Sequence, residues 1–397
     1  MDAARYRWVV LGVGTAAQAS TAAFFLGLAS VTPDLRAFYN TGLAGVGALL
    51  GVTSIGLVAT LLVWGTATDR FGERAVMTVG LTGAAMALGA AALVRSLPAA
   101  AALLVVAGAS GASVNAASGR AVLTWFPVQR RGFAMAIRQT AVPLGTAVAG
   151  ITLPVLAARG GVPAVFAGLA AGCLGAAIAS ALGIREPPDR PAVAPRTPTP
   201  TRAVLADRRL QRLSVAGALL VVPQFLGTGF LVELLHAGRG VPAATAAALL
   251  SLTQVFGALG RLGSGAWSDR AGRLHPLRIV SLAIAAAFTA AAVAFSAPIP
   301  VLAVMIVVAT ALAVSWNGLL FTAAGELAPA GRAATGMAMT NTANYVGGAV
   351  TAVAGGAVAA SAGWPAGLAL GAVAAVGAVA ALRGVHEQPA RPAAPTR

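Results

Sequence analysis

The sequence predicts an all-α integral membrane protein with twelve transmembrane helices, arranged as two pseudo-symmetric bundles of six. Three observations support this prediction. The 397-residue chain is 58% hydrophobic and only 10% charged, whereas soluble proteins carry about 25% charged residues. Its uncharged residues form runs long enough to cross a bilayer, which takes about 20 apolar residues. The first half of the chain also matches the second at a nearly constant spacing.

The spans follow from the uncharged runs. These runs cover residues 8–33, 37–68, 75–94, 96–119, 139–158, 160–184, 213–232, 240–260, 279–325 and 333–382. The last two are double length, and each contains a proline break, at 297–300 and 361–365. Because proline disfavours helix in the residue before it, we divide both runs and obtain twelve spans.

The basic residues fix the expected orientation. All 27 are arginine; 20 lie on one side of the predicted membrane, and only Arg36, Arg95, Arg159 and Arg239 lie in the opposite loops. Arginine favours the cytoplasmic side, so we expect a multi-pass protein of the plasma or inner membrane with both termini cytoplasmic. The first uncharged run has 26 residues, longer than the apolar core of a signal peptide, and is expected to remain as a span.

Residues 185–212 separate the two bundles. They hold six prolines and seven arginines, a composition typical of an extended linker. The predicted organisation is a six-helix bundle over 1–184, a cytoplasmic linker over 185–212, a second bundle over 213–384 and a disordered cytoplasmic tail over 385–397.

The duplication is visible in two blocks. Residues 65–72 recur at 265–272, an offset of 200, and a second block pairs Asn115 with Asn317 at an offset of 202. Duplicated halves of this kind place a solute site at their interface.

The repeated loop resembles the signature of the major facilitator superfamily, Gly-x-x-x-Asp-Arg-x-Gly-x-Arg between spans 2 and 3 and again between spans 8 and 9. The matching residues are Gly65, Asp69, Arg70, Gly72 and Arg74, and Gly265, Asp269, Arg270, Gly272 and Arg273. Glu73 departs from the family pattern, which usually has a basic residue there. The resemblance extends over nearly the whole chain and implies a solute carrier that works by alternating access.

In that setting Asp69 is expected to pair with a nearby arginine and to face a helix N-terminus, where a carboxylate is stabilised. The loop would then act as a cytoplasmic latch that holds one conformational state. The alternative interpretation is that these charges only fix the topology.

The polar residues within the spans indicate the solute class. Arg120, Arg138 and Arg261 lie at or near membrane depth with few carboxylates to pair them, and a guanidinium group binds carboxylate or phosphate in a fork. We therefore predict an anion site, with Gln139, Asn317, Asn341 and Tyr345 orienting the solute. Arg120 and Arg138 lie near enough to the cytoplasmic edge for the alternative that they reach the interface. Arg261 resembles an arginine of organic-anion branches of the superfamily, and an ion pair with the loop is its alternative role.

Glu233 and His236 are three residues apart and share a helix face. Both can titrate, so they are the candidates for proton coupling. A position at the outer membrane interface is the competing interpretation.

The expected function is secondary transport of a small organic or inorganic anion, for which coupling to protons is one hypothesis. A proton-coupled drug exporter is the alternative, although residues 142–147 of span 5 keep Pro143 but lack the glycines common in such exporters. A solute receptor is disfavoured because the linker and tails leave no room for a signalling domain. We expect no enzyme activity, cofactor, metal or nucleic-acid partner; the expected partners are a small solute and the bilayer, and a monomer suffices.

Overall fold

The computed structural model of the protein describes residues 3–187 and 199–387, and these form α-helices without a β-strand. The helices are numbered here as spans 1 to 12 in chain order. Spans 1 to 4 are Ala3–Phe25, Leu43–Phe71, Glu73–Ala91 and Leu97–Trp125; spans 5 and 6 are formed by Arg131–Gln139 and Ala141–Gly183; spans 7 to 9 are Arg208–Arg239, Ala243–Ala271 and Leu274–Val293; span 10 is Ile299–Ala313 with Asn317–Leu327; spans 11 and 12 are Ala333–Ala362 and Trp364–Leu382.

The number of spans agrees with the sequence prediction. Eleven helical segments are long and apolar enough to cross a membrane, and one of them, Val128–Gly183, has 56 residues. It contains two spans because the backbone leaves helical geometry at Gly160 and Gly161, where φ of Gly161 is 66°. The prediction of an all-α fold with twelve membrane helices is therefore confirmed.

The two halves meet through equivalent helices. Span 2 packs against span 11 and span 5 packs against span 8, a reciprocal arrangement that follows from the duplication. Large apolar side chains are exposed on the outer surface, among them Ile55, Val106, Ile151, Val308 and Val353. Exposed apolar residues of this kind suit a surface in contact with lipid.

We call the end of the bundle that carries the arginine-rich loops the arginine-rich end. Among the described residues, the polar contacts between the halves lie at this end or near the middle of the spans. The apolar core of the second half also continues into Leu123 and Met135 of the first half there. The halves are thus closed together at the arginine-rich end.

The structure corrects parts of the predicted linker and tail. Thr201–Leu205 is helical, and span 7 begins at Arg208, because the Asp207 side chain caps it by accepting a hydrogen bond from the Arg209 N–H at 2.8 Å. Residues 385–387 are also ordered, with Val385 fully buried and its carbonyl accepting a hydrogen bond from Arg278 at 2.8 Å. The remainder of the predicted linker and tail, 188–198 and 388–397, lies outside the described residues.

Candidate functional site

Arg138 is the centre of a buried polar cluster in the first half, which we call the arginine cluster. Its side chain projects from span 5 and is 3% exposed. Nε donates to Ser118 Oγ at 2.8 Å, and Nη2 donates to the Asn115 carbonyl oxygen at 2.8 Å and to Gln18 Oε1 at 3.3 Å. Nη1 donates to Gln139 Oε1 at 2.8 Å and contacts the Met135 sulfur at 3.6 Å. Spans 1, 4 and 5 thus hold the guanidinium group in one orientation.

The positive charge of Arg138 has no anionic partner in the described chain. Every acceptor in its hydrogen-bonding shell is a hydroxyl, carbonyl, amide or thioether group. Its N–H groups are therefore satisfied while its charge is not compensated. A buried charge in this condition is costly and favours the approach of an anion.

The second half completes the wall around this cluster. Asn341 of span 11 donates to Asn115 Oδ1 at 3.4 Å, across the interface between the halves. Phe321, Met337 and Asn341 line a narrow cavity together with Arg138. Tyr345 lies one turn beyond Asn341 in span 11 and packs against apolar side chains of the first half, Leu57, Leu61 and Ala112.

Amide side chains of the second half contrast with those of the first. Gln18, Asn115 and Gln139 are all hydrogen-bonded around Arg138. Among the amide side chains of the described residues, those with a buried oxygen that lacks a hydrogen-bond partner lie in spans 7, 10 and 11: Gln224, Asn317 and Asn344. Unpaired buried polar atoms are rare in proteins and point to a ligand, ion or water as the missing partner.

Arg261 bridges the two halves near the middle of span 8. It is 8% exposed, and its Nε donates to the Val314 carbonyl oxygen at 2.6 Å. Its Nη1 donates to the Gln139 carbonyl oxygen of the first half at 2.8 Å. The structure thus places Arg261 on main-chain carbonyls of spans 5 and 10, and no ion pair joins it to Asp269 in the described chain.

Arg120 lies with the repeated loop of the first half. Its Nε is 3.5 Å from Asp69 Oδ1, its Nη1 is 3.2 Å from Glu73 Oε1, and Nη1 also donates to the Thr68 carbonyl oxygen at 3.0 Å. Two carboxylates therefore compensate its charge, and its surroundings differ from those of Arg138.

Asp69 connects this group to the second half. Its carboxylate accepts hydrogen bonds from the N–H groups of Ala334 at 3.1 Å and Thr335 at 2.9 Å, and from the Thr335 hydroxyl at 2.6 Å. These N–H groups belong to the first turn of span 11, where helix N–H groups lack partners within the helix. We call Asp69, Glu73 and Arg120 the first latch.

The repeated loop of the second half forms an equivalent group, which contacts the first half. Asp269 accepts hydrogen bonds from the N–H groups of Gly132 at 2.8 Å and Phe133 at 3.0 Å, in the first turn of span 5. Arg273 lies 2.7 Å from Asp269 and 3.2 Å from Glu326, and it donates to the Val128 carbonyl oxygen. Glu326 is also paired with Arg131 of the first half at 3.4 Å. We call Asp269, Arg273 and Glu326 the second latch.

The two latches carry the same charges at exchanged positions. An offset of 200 aligns Glu73 with Arg273, and an offset of 202 aligns Thr124 with Glu326. In the first latch the loop supplies the second acid and span 4 supplies the arginine, whereas in the second latch the loop supplies the arginine and span 10 the acid. Each half therefore contains an Asp–Arg–Glu group, and Glu73 is the glutamate of the group in the first half.

The glycines of the repeated loop permit its close packing. A Cβ at Gly65 would lie 2.6 Å from the Ala338 Cβ, and one at Gly265 would lie 2.5 Å from the Gly132 carbonyl oxygen. Gly72 and Gly272 have φ of 81° and 79°, a conformation that side chains disfavour. The glycines let the halves approach and let each loop turn into the next span.

Other candidates lie away from the arginine cluster. Arg70, Arg74 and Arg270 are exposed at the arginine-rich end. Glu233 is exposed, and His236 Nδ1 lies 2.8 Å from the Val241 carbonyl oxygen near the opposite end of span 7. Neither contacts Arg138 or Arg261 in the described chain. Residues 3–187 and 199–387 also contain no cluster of three or more His, Cys, Asp or Glu side chains that could hold a metal ion.

The sequence gives no site role to Glu326 and Thr335 of the latches. It predicts an interior position, but no specific contact, for the other polar residues of these groups: Gln18, Asn115, Ser118, Gln224 and Asn344. Glu326 could have been found from the sequence as the acid that directly follows the long uncharged run 279–325. Pro143, four residues after Gln139, is a signal for the Arg261 bridge, because proline has no N–H with which to bond that carbonyl.

Comparison with known proteins gives a sequence match over most of the chain. A profile of the Major Facilitator Superfamily matches residues 13–352. An uncharacterized MFS-type transporter of Mycobacterium tuberculosis, found in two strains, is 40% identical over 288 residues. This match covers 70% of the chain and 63% of the relative, so the chain spans less than two thirds of the length of the curated relatives it matches.

Solved structures give the same fold at low identity. FucP, a fucose:proton symporter of E. coli, in the outward conformation superposes with a TM-score of 0.78 at 16% identity, covering 96% of this chain and 100% of that one. The proton:xylose symporter XylE bound to 6-bromo-6-deoxy-D-glucose has a TM-score of 0.77 at 16% identity, covering 97% of each chain. At such identity the likeness establishes the fold alone.

Proposed function

This chain belongs to the Major Facilitator Superfamily of secondary transporters, and we propose that its solute is a small organic or inorganic anion. The observation that carries the proposal is Arg138, a buried guanidinium group with neutral acceptors on every side. Its charge is available to a solute, whereas the charge of Arg120 is taken up by the first latch.

An anion would bind by exchanging with neutral acceptors. A carboxylate or phosphate oxygen forms a stronger hydrogen bond with a guanidinium group than an amide oxygen does. Gln18 and Gln139 contribute side-chain amide oxygens to Arg138, and these can swing away without loss of helix structure. The Asn115 carbonyl and Ser118 would keep Arg138 in place.

The second half would orient the rest of the solute. Asn341 bonds to Asn115 beside the arginine cluster, Tyr345 lies one turn further along span 11, and Asn317 carries an unpaired buried oxygen. Amide groups both donate and accept hydrogen bonds, so they suit an anion that also carries a hydroxyl, carbonyl or second acidic group. A solute held between halves in this way is positioned for alternating access.

Closure at the arginine-rich end defines the state of the carrier. Because arginine favours the cytoplasmic side, we place this end and both termini in the cytoplasm of a cell membrane, which makes the present state closed to the cytoplasm. Transport then requires both latches to open. A monomer is sufficient for this cycle.

Proton coupling through Glu233 and His236 stays a prediction. The two groups lie near the far end of span 7, away from the arginine cluster, so any coupling would act at a distance. Export of drug-like compounds is the alternative function, and it predicts binding of cationic or lipophilic compounds in place of anions.

Binding to purified protein tests the proposal. The melting temperature is measured with acetate, oxalate, malate or phosphate, with xylose and fucose as neutral solutes, and with tetraphenylphosphonium as a lipophilic cation. We expect stabilisation by at least one anion, loss of this effect in Arg138→Ala, and its retention in Arg36→Ala, a change at an exposed arginine of the opposite end. Stabilisation by the cation or the sugars alone, or an anion effect that survives Arg138→Ala, would contradict the proposal.

A further inference from the structure

We propose that Gln139 couples Arg138 to the hydrogen bond between Arg261 and the Gln139 carbonyl oxygen, which joins the two halves and is called the bridge below. Its side chain is held by Arg138 and its carbonyl oxygen is held by Arg261, so one residue touches the site and the bridge together. In this arrangement Arg138 holds the Gln139 side chain, and the Gln139 main chain presents its carbonyl to Arg261. Release of this bridge by an anion rests on the proposed function; the bridge itself does not.

The contacts define a chain of three groups. Arg138 Nη1 donates to Gln139 Oε1 at 2.8 Å, and the Gln139 carbonyl oxygen accepts from Arg261 Nη1 at 2.8 Å. Gln139 is 8% exposed and Arg261 is 8% exposed, so water competes little with either contact. The second contact crosses from span 8 to span 5, the pair of helices whose ends also meet at the second latch.

Pro143 explains why this carbonyl is available. In an α-helix the oxygen of residue 139 would accept from the N–H of residue 143. Residue 143 is proline and has no N–H, so the helix leaves the Gln139 oxygen without its usual donor. Arg261 supplies the donor from the other half, and a proline in span 5 thereby creates a contact between the halves.

Anion binding would act on this chain through its first member. A carboxylate or phosphate oxygen at Arg138 Nη1 displaces Gln139 Oε1, because a charged acceptor bonds more strongly. The Gln139 side chain is then free to rotate, the last turn of Arg131–Gln139 is held less firmly, and its carbonyl leaves Arg261. Gln139 is in this view a positioning residue for transport and contributes little to solute affinity.

The test measures opening of the arginine-rich end with and without an anion. Phe71 and Ala271, exposed residues at the ends of spans 2 and 8, are changed to cysteine and spin-labelled after Cys173→Ala removes the native thiol. Pulsed EPR in nanodiscs gives the fraction of molecules in which the two labels are far apart, which we call the open fraction. The variants are Gln139→Ala, Pro143→Ala and Arg261→Ala, with Pro154→Ala of the same helix and exposed Gln211→Ala as matched controls.

Without added anion, Gln139→Ala and Pro143→Ala should each raise the open fraction about tenfold, because each weakens a hydrogen bond with a charged donor. Pro143→Ala does so without altering a side chain of the site, since the new N–H competes with Arg261 for the carbonyl. The double variant should open no more than about the larger single effect, because both changes act at one oxygen. Arg261→Ala should open at least as much, and both controls should match the parent.

Addition of oxalate, malate or phosphate tests separately whether an anion binds and whether its binding opens the arginine-rich end through Gln139. The parent should open further with an anion that it binds. Gln139→Ala should bind the same anion at least as tightly by melting temperature, yet show no further opening, and in vesicles it should lower both the KM and the maximal rate. A merely structural defect would raise the KM or unfold the protein.

Two results are decisive. Gln139→Ala and Pro143→Ala that stay as closed as Pro154→Ala would overturn the coupling, whatever the anions do. If both variants open the protein while none of the three anions binds the parent, the bridge stands and the anion function fails.

Discussion

Replacement of Asp69 by asparagine is expected to open the arginine-rich end. The carboxylate accepts two main-chain N–H bonds and one hydroxyl bond from the first turn of span 11, at 2.6–3.1 Å, and it lies 3.5 Å from Arg120. Asparagine has one acceptor oxygen and no charge, so it can keep only part of this set.

The size of the effect follows from the bonds that are lost. Two charge-assisted hydrogen bonds at about 1.5 kcal/mol each amount to about 3 kcal/mol of stabilisation of the closed state. That corresponds to roughly a hundredfold shift of the equilibrium towards opening. Asp269→Asn should give a shift of the same order, because Asp269 caps span 5 with two N–H bonds and pairs with Arg273 at 2.7 Å.

The assay uses the spin-label pair at residues 71 and 271, with size-exclusion chromatography to show that the variants insert and remain folded. Asp34→Asn, at an exposed aspartate of the opposite end, is the matched control. An open fraction in Asp69→Asn within about threefold of the parent, a difference well under 1 kcal/mol, would refute the latch.

Three further predictions concern the latch, its packing and a helix cap. Glu73→Arg places a second cation beside Arg120, now 3.2 Å from the Glu73 carboxylate, and should cost about 3 kcal/mol of stability. Adding Thr124→Glu supplies the acid that the second latch has at Glu326 and keeps Arg120, so a melting temperature that recovers no part of this loss would contradict the exchanged-charge interpretation. Gly65→Val should abolish transport because its Cβ would lie 2.6 Å from the Ala338 Cβ. Gly47→Val of the same span, where a Cβ meets nothing within 4 Å, should transport normally. Loss of transport in both variants would point to a general defect. The hydrogen bond from Arg209 holds the pKa of Asp207 below its ordinary value. The stabilisation by this cap is therefore fully present above about pH 4 and is lost as the pH falls through the lower pKa of the folded protein. The difference in melting temperature between Asp207→Ala and the parent should shrink in acid, and a difference that grows in acid would contradict this.

The number of helices and their division into halves could be predicted from the sequence because both depend on composition along the chain. Long uncharged runs, proline breaks and the offsets of 200 and 202 are local or periodic signals. The bounds of span 7 were less accessible, since its start depends on the cap at Asp207 and not on the apolar run.

The roles of the three arginines could not be predicted in the same way. Arg120, Arg138 and Arg261 each lie in an apolar stretch of sequence, yet their surroundings differ. Arg120 is paired with carboxylates, Arg138 lies among neutral side chains, and Arg261 bonds to main-chain carbonyls. These partners come from other spans, so the distinction arises only when the helices pack. Glu73 departs from the family pattern in the sequence, but its role as a partner of Arg120 depends on a residue 47 positions further along the chain.

Transport by the purified protein in proteoliposomes tests the central claim most directly. Lumen pH, and uptake of labelled oxalate, malate and phosphate, are followed for the parent, Arg138→Ala and Arg36→Ala. We expect uptake of at least one of these anions by the parent and by Arg36→Ala, with loss in Arg138→Ala, and a concurrent pH change would add proton coupling. Movement of only neutral sugars or lipophilic cations, or anion uptake that persists in Arg138→Ala, would contradict an anion carrier built around Arg138.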